Sequence, residues 1–114
     1  MIYFKPTVVN SSSCTAVFEA LEREDKLGEC RLLLNGSYAD VYFLSFSQKT
    51  PEIGEGLLRS AYNYAANHSA YIGTLSAKEP ENASKLLNFE FSNGVYFNDI
   101  PTLLSGTCQK KCGI

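Results

Sequence analysis

Long apolar runs are missing from this chain of 114 residues. No stretch approaches the roughly 18 to 20 apolar residues that cross a bilayer. The segment from Met1 to Asn10 has one Lys, a Pro and short apolar runs in place of the basic and long apolar regions of a secretion signal. A cytoplasmic location, without a membrane partner, is the expectation. An excess of one charge is also missing: ten basic residues face twelve acidic ones, the net charge is -2, and the Lys and Arg positions are scattered. Such a surface gives nucleic acid no basic stripe to follow. Histidine is nearly absent, His68 being the one example, and cysteine is limited to Cys14, Cys30, Cys108 and Cys112. A structural zinc takes four ligands, whereas Cys108 and Cys112 offer two thiolates, so no metal is expected and the thiols are read as reduced. His68 follows a helical pattern with no nucleophile near it in sequence, and a solvated place at that helix end is expected.

What is present is the composition of one soluble domain, 45% hydrophobic and 19% charged. No repeat, low-complexity stretch or linker divides it, so a single domain over 1–114 is expected. Ile2 to Lys5 reads as a short strand and Asn10 to Ser13 as a polar loop. Thr15 to Glu22 suits either period but continues into a meander, and is read as a strand. After a polar turn at Glu24-Asp25-Lys26, Leu27 to Leu34 forms the next strand. Asn35-Gly36 marks a two-residue hairpin, since both residues accept positive φ. Tyr38 to Phe46 is a long aromatic-rich strand.

Thr50-Pro51-Glu52 then supplies a capping hydroxyl, a proline for the first helical position and an acid for the positive end of the dipole. Ile53, Leu57, Ala61, Tyr64 and Ala65 recur on one helical face through about Asn67. Ser69 to Ser76 reads as a strand. Pro80 opens a short helix with Ala83, Leu86 and Leu87 apolar, and Asn88 suits a left-handed exit. Phe89 to Phe97 reads as a strand bent at Asn93-Gly94. The sum is an α/β (α+β) fold: a mixed, mostly antiparallel sheet with two main helices and one β-α-β crossover.

Gly54 and Gly56 sit near the start of the first helix, where each costs up to about 1 kcal/mol relative to alanine. Two explanations stand side by side: helix amides closing on a phosphate, or close packing of helix on sheet. The wider pattern is Leu44-Ser45-Phe46, a short loop, Ile53-Gly54-x-x-Leu57-Leu58, another strand, and Lys85-Leu86-Leu87-Asn88-Phe89-Glu90. Over roughly Thr15 to Phe97 this resembles the GNAT acetyltransferase superfamily.

The resemblance implies acetyl-CoA as cofactor and an amine as acceptor. It implies that backbone amides of the loop and helix start hold the pyrophosphate, and that the strand before the helix parts from the strand after it to admit the acyl-pantetheine arm. Residue by residue it points to Phe46, Ser47, Lys49, Ile53, Gly54, Glu55, Gly56 and Asn82 as cofactor contacts. Lys49 falls at the basic position of the pyrophosphate motif, and Glu52 falls where a glycine is usual. Ser84 falls where a tyrosine often protonates the departing thiolate. Asp40 falls at a frequent acidic position, where it would activate the amine directly or through water; an exposed strand carboxylate is the alternative. Only about fourteen residues precede Thr15, where the superfamily has a strand and two helices. Three outcomes follow: an open acceptor pocket, a pocket completed by a second copy in a homodimer, or no acceptor. The competing functions are an N-acetyltransferase and a non-catalytic binding or dimerisation module of the same fold.

Overall fold

The computed structural model describes residues 2–9, 15–47, 49–78 and 81–105, with the side chains at 8, 9, 15, 81 and 82 left aside. The expected loop at Asn10 to Ser13, Pro80, and the tail with Cys108 and Cys112 lie outside the described residues. Strand β1 is Ile2–Val9, longer than its sequence pattern suggests, followed by β2 (Thr15–Glu22), β3 (Asp25–Asn35) and β4 (Tyr38–Phe46). Helix α1 (Pro51–Ala66) leads to β5 (Ile72–Leu75), a 3-10 turn (Glu81–Lys85), β6 (Glu90–Ser92) and β7 (Val95–Asp99). Residues 100–105 are helical. The sheet order is β1-β2-β3-β4-β5-β7-β6. Each neighbouring pair is antiparallel except β4 and β5, which α1 joins as a parallel crossover.

The turns differ from their sequence readings for reasons of φ. In the β3–β4 hairpin Asn35 pairs with Tyr38, so Gly36 and Ser37 are the turn residues, and Gly36 alone takes positive φ, at 63°. That is a turn with glycine at its first central position. At the second candidate site both Asn93 (φ 54°) and Gly94 (φ 78°) are left-handed. Asn93-Gly94 therefore makes a tight hairpin between β6 and β7, where the sequence suggested one bent strand. Asn88 is not among the described residues with positive φ; the short segment before it is a 3-10 turn, so no helical left-handed exit is needed there.

All three helical segments pack on one face of the sheet. Alternation along β2, β3 and β4 puts Ala16, Phe18, Ala20, Cys30, Leu32, Ala39, Val41 and Leu44 on that face, all buried. They meet Ile53, Leu57, Leu58, Ala61, Tyr62 and Ala65 of α1. The helix is rotated slightly from its expected face: Tyr62, not Tyr64, is fully buried, and its hydroxyl donates to the Thr74 carbonyl. Burial drives the Tyr62 phenol well above its ordinary pKa, and it drives the Cys30 thiol up as well. Both groups are therefore core members and not reagents. His68 is exposed, with its ring stacked on Tyr64 at 4.1 Å. Asp99 caps the final helical segment, accepting from the Thr102 amide at 3.0 Å and its hydroxyl at 2.9 Å.

The opposite face carries a charged cluster. Lys26 and Arg31 both donate to the carboxylate of Glu29, and the Arg31 guanidinium lies 4.6 Å from the centre of the Phe43 ring. Glu29 is only 8% exposed. The hydrogen bond from Lys26, followed by that from Arg31, holds its carboxyl below the usual carboxylate range against the opposing effect of burial.

Two outcomes follow from this packing. A Cβ at Gly54 would stand 2.6 Å from the Phe46 ring and 2.8 Å from Leu86 Cδ1, so Gly54→Ala should destabilise by about 1–3 kcal/mol in urea unfolding despite its better helix propensity. Because the Glu29 carboxyl is depressed in the folded state, its contribution is present above the unfolded carboxylate pKa and disappears as pH falls through the folded value. Glu29→Gln should flatten that part of an acid-unfolding curve.

Candidate functional site

The strands on either side of the crossover do not stay together. β4 pairs with β5 from Tyr38↔Ile72 to Val41↔Leu75, and β4 then runs on to Phe46. At the point of departure the Val41 carbonyl accepts from two successive amides, Ser76 at 3.0 Å and Ala77 at 3.1 Å. One acceptor serving two donors turns the chain after β5 away from β4. In the space that opens, Tyr42, Phe43, Leu44 and Ser45 of β4 face Ala77 and Lys78 across a cleft of about 450 Å³. On the other side of the same segment, Leu75 to Lys78 joins Ala83, Ser84, Gly94, Val95 and Tyr96 around a cavity of about 480 Å³. Helix α1 starts at Pro51, shortly after β4 ends at Phe46.

Asp40 sits on β4 beside this parting. Its Oδ1 accepts from the Thr74 hydroxyl at 2.7 Å and its Oδ2 from the Ser76 hydroxyl at 2.6 Å. The expected acid is therefore anchored to β5 through both carboxylate oxygens, which keep lone pairs for a further donor. Neither hydroxyl stood out in the sequence, because only the parallel register that sets Thr74 opposite Asp40 brings them together. Ser84 is half-buried and lines the larger cavity, as does Tyr96, a phenol that the sequence reading missed. A single aromatic in an alternating strand carries no local signal of such a role. The side chain of Asn82 lies outside the described residues.

The expected pyrophosphate residues arrange themselves differently. Thr50 does not cap α1 with its side chain; its amide and hydroxyl both donate to the Ser47 carbonyl, at 2.9 and 3.3 Å. The Lys49 amide donates to Ser47 Oγ at 3.2 Å, and the Ile53 amide to the Thr50 carbonyl at 3.0 Å. Pro51 has no amide proton. From Glu55 onward the amides belong to the i to i-4 ladder of the helix. The amides of Glu55 and Gly56 are thus engaged within the helix. Nor do the glycines open a path: Gly54 faces Phe46 and Leu86, and Gly56 faces the ring of Phe4 on β1. These contacts are those of close packing of helix on sheet. Ile53 is buried in the core and Phe46 is turned onto Gly54. Glu55 accepts from Arg59 Nε at 2.9 Å, and Arg59 also donates to the Leu104 carbonyl. Lys49 and Ser47 are exposed at the helix start, and so is Glu52.

No protein-family model matches the chain, and no curated protein matches it significantly. Solved structures do. A GNAT-family protein of Desulfovibrio desulfuricans superposes with a TM-score of 0.68 at 10% identity, covering 88% of this chain and 99% of its own. YhhK of E. coli, solved with coenzyme A bound, gives 0.64 at 13% identity over 87% of this chain and 98% of its own. A cAMP-binding acyltransferase of Mycobacterium smegmatis gives 0.66 at 11% identity over 90% of this chain and 45% of its own. At these identities the likeness is one of fold, and the chain adopts the GNAT fold. No helix among the described residues is long and apolar enough to cross a membrane.

The Asp40 anchor is open to direct measurement. In a double-mutant cycle, Asp40→Ala and Ser76→Ala should show a coupling of about 1 kcal/mol in unfolding free energy; strictly additive effects would mean that the bond does not form in solution.

Proposed function

We propose that the chain transfers an acyl group from a pantetheine thioester to an amine within the opening between β4 and β5. The observation that carries this reading is the departure of the two strands after Val41. It leaves the cleft-side edge of β4 from Tyr42 to Phe46 without a strand partner among the described residues, beside a cleft of about 450 Å³. A pantetheine arm is extended and carries two amide groups, so it fits such an edge as a short strand would. The solved structure of YhhK with coenzyme A supports the same class of ligand for this fold. When bound, the thioester supplies an activated acyl carbon.

The chain's own residues then have two tasks. Asp40, held by Thr74 and Ser76, orients the acceptor and takes up its proton as the new C–N bond forms. Tyr96, in the cavity on the other side of Leu75 to Lys78, supplies a proton to the thiolate as it leaves toward that side. A phenol is the stronger acid of the two hydroxyls in that cavity, so Tyr96 takes precedence over Ser84 for this step. Lys78, exposed on the segment between the two cavities, is a cation available to an acidic part of the acceptor. The acceptor remains defined by class, as an amine.

A second reading, a binding module of the same fold without catalysis, is favoured by the internal bonding of the helix-start amides. The two readings part on turnover. At ten times its dissociation constant, acetyl-pantetheine or acetyl-CoA should raise Tm by about 5 °C or more. With a panel of amines, thiol release should be measurable, with Tyr96→Phe slowing kcat about ten-fold or more and Ser84→Ala having a smaller effect. Binding without thiol release would select the module. No thermal shift with either thioester would remove both thioester readings.

A further inference from the structure

We infer that Ser76 is a nucleophile that carries the acyl group as an ester on its way from thioester to amine. The inference rests on the thioester reading above and specifies the route that the acyl group takes. A nucleophilic hydroxyl needs a base within hydrogen-bond reach, and that base needs a third group to orient it. Ser76 has both. Its Oγ donates to Asp40 Oδ2 at 2.6 Å, and Asp40 Oδ1 accepts from the Thr74 hydroxyl at 2.7 Å. Thr74 is fixed in turn, because the buried Tyr62 phenol donates to its carbonyl. The Ser76 side chain is exposed, and its amide is held by the Val41 carbonyl at the point where the chain leaves β4. It also lines the cavity of about 480 Å³ that contains Tyr96. The nucleophile therefore shares a cavity with the acid that meets the departing sulfur. Ser84 lines the same cavity, but no carboxylate is bonded to its hydroxyl among the described residues.

The transfer then has two balanced halves. In the first, Ser76 Oγ attacks the carbonyl carbon of the thioester; the C–O bond forms and the C–S bond breaks. Asp40 takes the hydroxyl proton and Tyr96 protonates the departing sulfur, after which solvent returns the Asp40 proton to the Tyr96 phenolate. In the second half, the amine nitrogen attacks the ester carbon. Asp40 takes the amine proton and delivers it to Ser76 Oγ as the C–O bond breaks. A carboxylate is a weak base for a hydroxyl, so the proton moves only as the new bond to carbon forms. Such a pair needs an acyl donor that is already activated, as a thioester is. Because Ser76 is exposed, water competes with the amine for the ester, and slow thioester hydrolysis accompanies the transfer.

Mixing the intact chain with acetyl-pantetheine in the absence of amine, then quenching, tests this. Mass spectrometry is expected to find an acetyl group on Ser76 and not on Ser84, with a burst of free thiol in equal amount before slower release. Asp40→Asn is expected to slow the burst about 100-fold or more. Ser76→Ala is expected to lose the acetyl group and to lower kcat for amine acetylation about 100-fold or more. With thioester and amine both varied, the wild-type chain is expected to give the parallel double-reciprocal lines of a ping-pong reaction. Intersecting lines, or undiminished amine acetylation by Ser76→Ala, would overturn this inference and leave the thioester reading standing. Absence of both thiol release and an acetylated chain, with or without amine, would overturn the inference and the transfer reading together.

Discussion

Val41 accepts two backbone hydrogen bonds through one carbonyl, from Ser76 and Ala77, and the remainder of the candidate site follows from that bifurcation. A parallel pair that continued in register would bury the edge of β4 to its end. Because two consecutive amides converge on one oxygen, the chain leaving β5 is deflected and β4 proceeds to Phe46 with β3 as its remaining partner. Asp40 reinforces the same point from its side chain, gripping Thr74 and Ser76 with its two oxygens. Backbone and side chain thus fasten the strands just below the mouth of the cleft. From behind, the Tyr62 hydroxyl holds the Thr74 carbonyl, tying the junction to the centre of α1.

The two glycines of α1 show how one sequence feature can serve either of two physical purposes. A missing Cβ admits a phosphate or a neighbouring ring, and the rings of Phe46 and Phe4 take the space here. This gives the helix a close seat on β4 and β1, which compensates for the helical propensity that glycine lacks. It also leaves the loop before the helix to satisfy its own donors, which Ser47 and Thr50 do. A helix start bonded in this way is stable without a ligand.

Much of the fold could be read along the chain. The bounds of β2 and β4, the start of α1 after Thr50 and the single crossover all follow from local signals: alternation, a proline at the first helical position and a three-to-four residue apolar repeat. The departures share a cause. Tyr62 is fully buried and bonded to the Thr74 carbonyl while Tyr64 is only partly buried, and that bond joins α1 to a strand further along the chain. The turn at Gly36-Ser37 is offset by one residue because Asn35 pairs with Tyr38 in the ladder, and pairing register is a property of two strands.

The sequence by itself determined the class of fold, the strand that carries Asp40 and the helix that starts soon after it, since each depends on residues near one another in the chain. Only the tertiary structure decided the partners: Thr74 and Ser76 for Asp40, Tyr96 beside Ser84, and Phe4 and Phe46 for the glycines. Those contacts join segments distant in sequence, and their geometry comes from sheet register and helix seating. No local pattern encodes either one.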